Sequence, residues 1–314
     1  MLKYNGRIIT KNDRWIGDVN VPLPPSTARF RFSDPTYDPR TEDRWSGTTM
    51  AARWSKVQVA DNVWDYTGTS LQSFAANGSN PGIWNDRNFN VELLDTNIAG
   101  FYYDFQDAFR ECNNLVKVHR ISSAPRCLSF AFSKTGISEI PLFDTSNVWT
   151  LARAFNETSI VTIPLFNTSN VSSLNGTFSN CSNLEYLPNI DTSKVTNVSF
   201  ALWYCHNLKE LPTWDLSKVS NFESFANMDW LYNSSDIEVI PDYDVSSAVN
   251  VQYAFTGMTK VKTGIYRLYQ KFAALGNQIT NHTGTFAHTG IDTEEGRAER
   301  ALIPQSWGGD LVEE

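Results

Sequence analysis

The sequence predicts an α+β repeat solenoid. Three observations predict it: an octapeptide written twice, an Ile/Leu-Pro pair that returns about every two dozen residues, and a phenylalanine that returns at the same interval. Ile140-Pro141-Leu142-Phe143-Asp144-Thr145-Ser146-Asn147 reappears almost unchanged from Ile163 to Asn170. The Ile/Leu-Pro pair falls at Ile140, Ile163, Leu187, Leu211 and Ile240, in steps of 23, 24, 24 and 29. The second anchor, Phe109, Phe132, Phe155, Phe178, Leu202, Phe225 and Phe255, advances by 23, 23, 23, 24, 23 and 30. A unit this short cannot bury its own apolar stripe and must do so against its neighbours.

Each part of one rung has its own signal. "LEYLPNI" (184–190) alternates apolar and polar residues between polar boundaries and predicts a short strand. The Asp or Asn four residues after each Ile/Leu (Asp144, Asn167, Asp191, Asp215, Asp244) predicts an Asx-type turn or helix N-cap. Val195, Val198 and Leu202, spaced by three and four, predict one or two helical turns on the opposite face. Cys112, Cys181 and Cys205 each precede a leucine by three residues, which makes them a column of the repeat rather than a site.

The rung resembles the BspA-type leucine-rich repeats, in particular the Asp-Thr-Ser-Asn-Val variety of bacterial surface proteins and of phage and prophage proteins. The likeness runs from roughly residue 105 to 263. It implies a leucine-rich-repeat-like stack of short strands and short helical turns. Leu202 in the phenylalanine column, Ala248 in the valine column and the inserted "DWLYNSSD" depart from the pattern. Insertions in such repeats map to loops on one face, often the binding face.

Three regions follow: 1–100, a small strand-rich N-terminal module suited to attachment or oligomerisation; 101–263, the solenoid; and 264–314, a helical C-terminal cap. In the first, Ala28-Arg29-Phe30-Arg31-Phe32 alternates and is followed by Pro- and Asp-rich turns. Its tryptophans, Trp15, Trp45, Trp54, Trp64 and Trp84, are either a carbohydrate-stacking platform or core, and the commoner use of Trp favours core. In the third, Ile265, Leu268, Phe272 and Leu275 have helical spacing closed by Gly276-Asn277, and "TEEGRAERAL" (293–302) reads as a second helix.

Composition narrows the function classes. With 41% hydrophobic and 19% charged residues the chain has the balance of a soluble folded protein. A net charge of -8 with scattered Lys and Arg argues against nucleic-acid binding. The first ten residues lack the apolar run of a secretion signal, and no segment has membrane-spanning length, so no membrane insertion is expected. Four cysteines without a Cys-x-x-Cys pair point to reduced thiols, and the four histidines have no metal-ligand spacing. No cofactor, metal or catalytic residue is expected. The repeat explains Asp144, Asp191, Asp215 and Asp244 as turn residues, which leaves no evident carboxylate pair for glycoside hydrolysis.

The resemblance implies a non-enzymatic bacteriophage virion protein, an external appendage assembled in the host cytoplasm. It would be held by other virion proteins, associate as a homo-oligomer, and adhere to a host-surface glycan or protein. The contact residues expected are Glu185, Tyr186, Lys209 and Glu210, which vary between rungs, and Trp230, Leu231 and Tyr232 of the insertion. The alternatives are an architectural capsid or tail decoration protein, a bacterial surface adhesin, and a glycan-degrading tailspike.

Overall fold

The structure is a computed structural model that describes residues 2–4, 7–9, 27–36, 38–39, 54–68, 90–97, 105–228 and 235–310. Strand β1 (Leu2–Tyr4) pairs antiparallel with β2 (Arg7–Ile9). The larger sheet is mixed and five-stranded. It is built from β3 (Thr27–Phe32), β4 (Trp54–Ala60), β5 (Val63–Gly68), β6 (Val91–Asn97) and β7 (Leu115–Val118), in the order β4-β5-β3-β6-β7.

The alternation of β3 is the reason it forms. Ala28, Phe30 and Phe32 are fully buried, while Arg29 and Arg31 point to the other face. There Arg29 makes a two-pronged contact with Asp65 at 2.6 and 2.9 Å, and Arg31 meets Glu92 at 3.0 Å. β4 and β5 form a hairpin through Asp61-Asn62, where Asn62 takes the left-handed backbone that asparagine tolerates. Parallel pairing of β6 with β7 carries the sheet into the periodic region. Of the five tryptophans read in this region, Trp64 is core at 1% exposure. Trp15, Trp45 and Trp84 lie outside the described residues, as does the side chain of Trp54.

Beyond β7 the chain satisfies its backbone differently. Alternate N–H groups bond within the rung and to the next one. Ala131, Ser133 and Thr135 donate to carbonyls three residues back, Leu128, Phe130 and Phe132. The intervening Phe130, Phe132 and Lys134 donate to Ala152, Ala154 and Asn156 of the following rung. The same alternation recurs at Leu151 to Glu157 and at Leu174 to Cys181. It requires a left-handed residue at fixed places. Asp107, Phe130, Arg153, Gly176, Phe200, Ser224, Tyr253 and Gly284 form one such column; Glu111, Lys134, Glu157, Asn180 and Tyr204 form another, four residues on.

Rungs also join through single-residue parallel bridges, Cys127 to Thr150, then Ser173, Asn197, Asn221, Asn250 and Asn281. Most of these residues also cap the chain locally, because Thr150, Ser173, Asn197, Asn221, Asn250 and Asn281 accept from the N–H two residues on. Inside, Phe109, Phe132, Phe155 and Phe178 stack with centroids 5.5–5.9 Å apart, all fully buried. Burial of each such ring contributes about 1.5–3 kcal/mol.

Helix α1 (Ile265–Ala274) buries Ile265, Leu268 and Phe272. Gly264 before it has φ 102°, and a Cβ there would stand 2.4 Å from the Ile240 carbonyl oxygen, so only glycine fits. Helix α2 (Glu294–Arg300) starts at Thr293, whose hydroxyl accepts from the Gly296 N–H at 3.0 Å.

These observations correct the expected fold class. The architecture is a mixed five-stranded sheet with a long turn-built region and low helical content, two α-helices among the described residues. An open α+β repeat solenoid, a leucine-rich-repeat-like stack of short strands and short helical turns, does not form. Residues 184–190 carry no strand, and 195–202 no helix. The physical reason is the left-handed residue: Phe200, at φ 57°, interrupts the run of helical dihedrals within which Val198 and Leu202 were to share a face.

Candidate functional site

The titratable groups of the rungs are largely committed to structure. Asp144, Asp191, Asp215 and Asp244 each accept the N–H of the serine two residues on, at 2.9–3.0 Å, and Asn167 does the same for Ser169 at 3.2 Å. These are the expected Asx turns. Hydrogen bonds from those serines hold the four carboxyls below the usual carboxylate range. The four cysteines are buried and none is in a disulfide. Burial pushes the Cys181 thiol up to about 11 and the Cys205 thiol well above its ordinary value. Both thiols point at backbone carbonyls, Cys181 to Phe155 at 2.9 Å and Cys205 to Phe178 at 3.0 Å. Thiols so held are poor nucleophiles.

The histidines are dispersed. His119 meets Glu92 at 3.0 Å, His206 stacks on Tyr204, and His282 lies flat on Trp307 with ring centroids 4.2 Å apart. Among the described residues no group of three or more His, Cys, Asp or Glu is placed to hold a metal, and no helix is long and apolar enough to cross a membrane.

The surface beside the Ile/Leu-Pro pairs holds the expected contact residues that the structure describes. Tyr186 and Glu210 are exposed, and Glu185 and Lys209 half-buried. The N–H of Lys209 donates to the Glu185 carbonyl at 3.1 Å, and that of Glu185 to the Val161 carbonyl at 2.9 Å, which sets the three in successive rungs. Lys209 and Lys260 both grip Asp236, at 2.6 and 2.8 Å. Their hydrogen bonds bring the Asp236 carboxyl down to about 2. Lys262 meets Glu238 at 2.8 Å. Trp230, Leu231 and Tyr232 of the insertion lie outside the described residues.

Apolar side chains are exposed beside the same pairs, and of these sequence reasoning singled out Tyr186 alone. Leu142 is 68% exposed, Leu165 65%, Tyr186 51%, Val239 51% and Val161 41%. Leu142 and Leu165 occupy one place in neighbouring rungs, next to Phe143 and Phe166, whose ring centroids lie 5.1 Å apart edge to face. The signal was present in the repeated octapeptide: of its adjacent Leu and Phe, only one can face inward where the chain is extended.

A protein-family model matches residues 127–234 and 201–288, which together span 127–288, more than half of the chain. No curated protein and no solved structure matches it. The chain belongs to the family described as "Mycoplasma protein of unknown function, DUF285", and is a BspA-like repeat protein.

Proposed function

We propose that the chain is a non-enzymatic display protein, an external appendage of a bacteriophage virion, that uses the surface beside its Ile/Leu-Pro pairs to adhere to a host-surface glycan or protein. The observation that carries this reading is the backbone ladder. Because alternate N–H groups tie each rung to the next, the half-buried Glu185 and Lys209 and the exposed Tyr186 and Glu210 are held in successive rungs. Inside, the columns repeat; outside, Glu185 and Tyr186 of one rung stand where the next has Lys209 and Glu210, the kind of variation a recognition surface uses. The carboxylates and thiols of the rungs serve turns and core, which suits display rather than catalysis. On the particle, other virion proteins and further copies of the chain would hold it.

Fluorescently labelled full-length chain, incubated with a panel of bacterial cells that includes mycoplasmas, tests the reading. Saturable binding to some cells, without release of reducing sugar, is the expected result. Sugar release would replace adhesion by glycan cleavage, and failure to bind any cell would leave an architectural role.

A further inference from the structure

We infer that two copies of the chain hold each other by exchanging residues 303–310, a strap that closes the last rung (281–290); this rests on the reading above only where further copies hold the chain. Along the rungs the backbone bonds run one way. Tyr253, Phe255 and Gly257 donate to the carbonyls of Thr283, Thr285 and Ala287 at 3.0, 2.9 and 2.8 Å. The strap stands where one more rung would follow: Gly284 and Phe286 donate to the carbonyls of Ser306 and Trp307 at 3.3 and 2.8 Å. The N–H groups of Trp307, Gly308 and Gly309 turn back within the strap, to the carbonyls of Pro304, Gln305 and Pro304 at 3.0, 2.8 and 3.1 Å. Ile303 is fully buried, and Trp307, 9% exposed, lies flat on His282. Gly308, at φ 86°, sits so close to the rung that a Cβ would stand 2.4 Å from the Ala287 nitrogen.

Polarity selects the occupant. A last rung without its strap presents backbone N–H donors, and two such ends brought together would set donor against donor. What satisfies them is a segment that brings carbonyls at the spacing of Ser306 and Trp307, an indole for His282 and a carboxylate for Arg300. That arginine is 7% exposed, donates to the Phe286 carbonyl at 2.9 Å and grips Asp310 at 2.7 Å. The strap of a second copy brings all three. Reciprocal exchange thus keeps the contacts of the closed chain in a two-fold dimer, and its added cost is that of joining two molecules. Ala301 and Leu302, which link α2 to the strap, are exposed, so straightening the link gives up little burial.

Light scattering on the purified full chain, over rising concentration and without cells, tests this. A dimer that grows with concentration is expected. Trp307→Asp should weaken it about tenfold or more. Deletion of residues 301 and 302, which keeps a strap from reaching its own rung, should make the dimer persist at dilution. A labelled peptide of residues 301–312, added to the unaltered chain, should be taken up and should dissolve the dimer, and it decides the matter where a variant does not fold. A monomer at every concentration would overturn the exchange. A dimer that neither the peptide nor Trp307→Asp weakens would place the interface elsewhere and overturn it as well. Both results leave binding to cells, and so the adhesion reading, to stand on its own; a strap-dependent dimer that binds no cell would sink that reading alone.

Discussion

The five-stranded sheet and the turn-built region meet at β7, and they solve the same backbone problem in different ways. In the sheet, β3 pairs along its length with β5 and β6, and charged groups on one face are locked by Arg29–Asp65 and Arg31–Glu92. In the turn-built region each rung offers its neighbour a few bonds at a time, from alternate N–H groups, and the remainder close locally over three residues. The sheet depends on pairs that are far apart in sequence. The rungs depend on columns, so one residue type at one interval must meet the same demand many times. Damage should therefore spread along a column in the rungs and stay near its pair in the sheet.

The largest effect expected from breaking a column is at Phe178, which is fully buried and stacks on Phe155 at 5.9 Å. Phe178→Asp removes the ring and buries a carboxylate, and should cost more than about 4 kcal/mol in a denaturant titration. Near-native stability would mean that the column is not core. The corresponding break at the sheet is smaller. Asp95, 1% exposed, accepts from Arg120 Nε at 2.9 Å, Ser122 Oγ at 2.9 Å and the Ser122 N–H at 3.1 Å. Asp95→Ala strands these donors next to β6, and should cost about 2 kcal/mol, with Arg120 partly rescued by water. Hydrogen exchange should show the loss confined to β6 and residues 118–123; uniform loss across the rungs would contradict the contrast.

Much of this was legible in the residues. The intervals of 23 and 24 set the rung length, the Asp-Thr-Ser turns were readable from side-chain chemistry, and β3, α1 and α2 formed where alternation or helical spacing indicated. The secondary structure of the rung was not legible. Val195, Val198 and Leu202 have helical spacing because three and four residues also separate inward positions in a succession of tight turns, and periodicity does not tell the two apart. What does is φ, and at Phe130, Arg153, Phe200 and Tyr253 no glycine marks the left-handed place; only Gly176 and Gly284 in that column do. The bridge column was readable in principle, since Thr150, Ser173, Asn197, Asn221, Asn250 and Asn281 are all short polar residues in register, but short polar residues are also what any surface turn uses. The exposed Leu142 and Leu165 were hidden by their neighbours in the apolar half of the octapeptide.

Removing one turn carboxylate should matter less than removing a core ring. The Asp191 carboxylate accepts the Ser193 N–H of its own turn at 3.0 Å, while the backbone carbonyl that takes the Thr168 hydroxyl survives the change, so Asp191→Ala should cost about 0.5–1 kcal/mol. Equal destabilisation by Asp191→Ala and Phe178→Asp would overturn the assignment of inside and outside.

The smallest effect of any single group should come from the surface charges, and acid titration separates them from the core. The carboxyls of Asp144, Asp191, Asp215 and Asp244 are depressed in the folded chain by their serine partners, and that of Asp236 is depressed to about 2 by Lys209 and Lys260. A depressed folded value means that the folded chain releases the proton more readily than the unfolded one. The stability each group contributes is thus present above the ordinary carboxylate value and lost as pH falls through the folded one. The thermal midpoint should hold from pH 7 to about 5 and decline between about pH 4 and 2. Asp236→Asn should remove only a small part of that decline, and added salt should shrink the part further, because both lysines reach Asp236 through solvent. The serine-bonded carboxyls should keep their share in salt, since their partners are hydroxyls and backbone N–H groups within the same turn. A decline abolished by salt would assign the acid sensitivity to the ion pairs of the surface and not to the turns that the repeat writes in every rung.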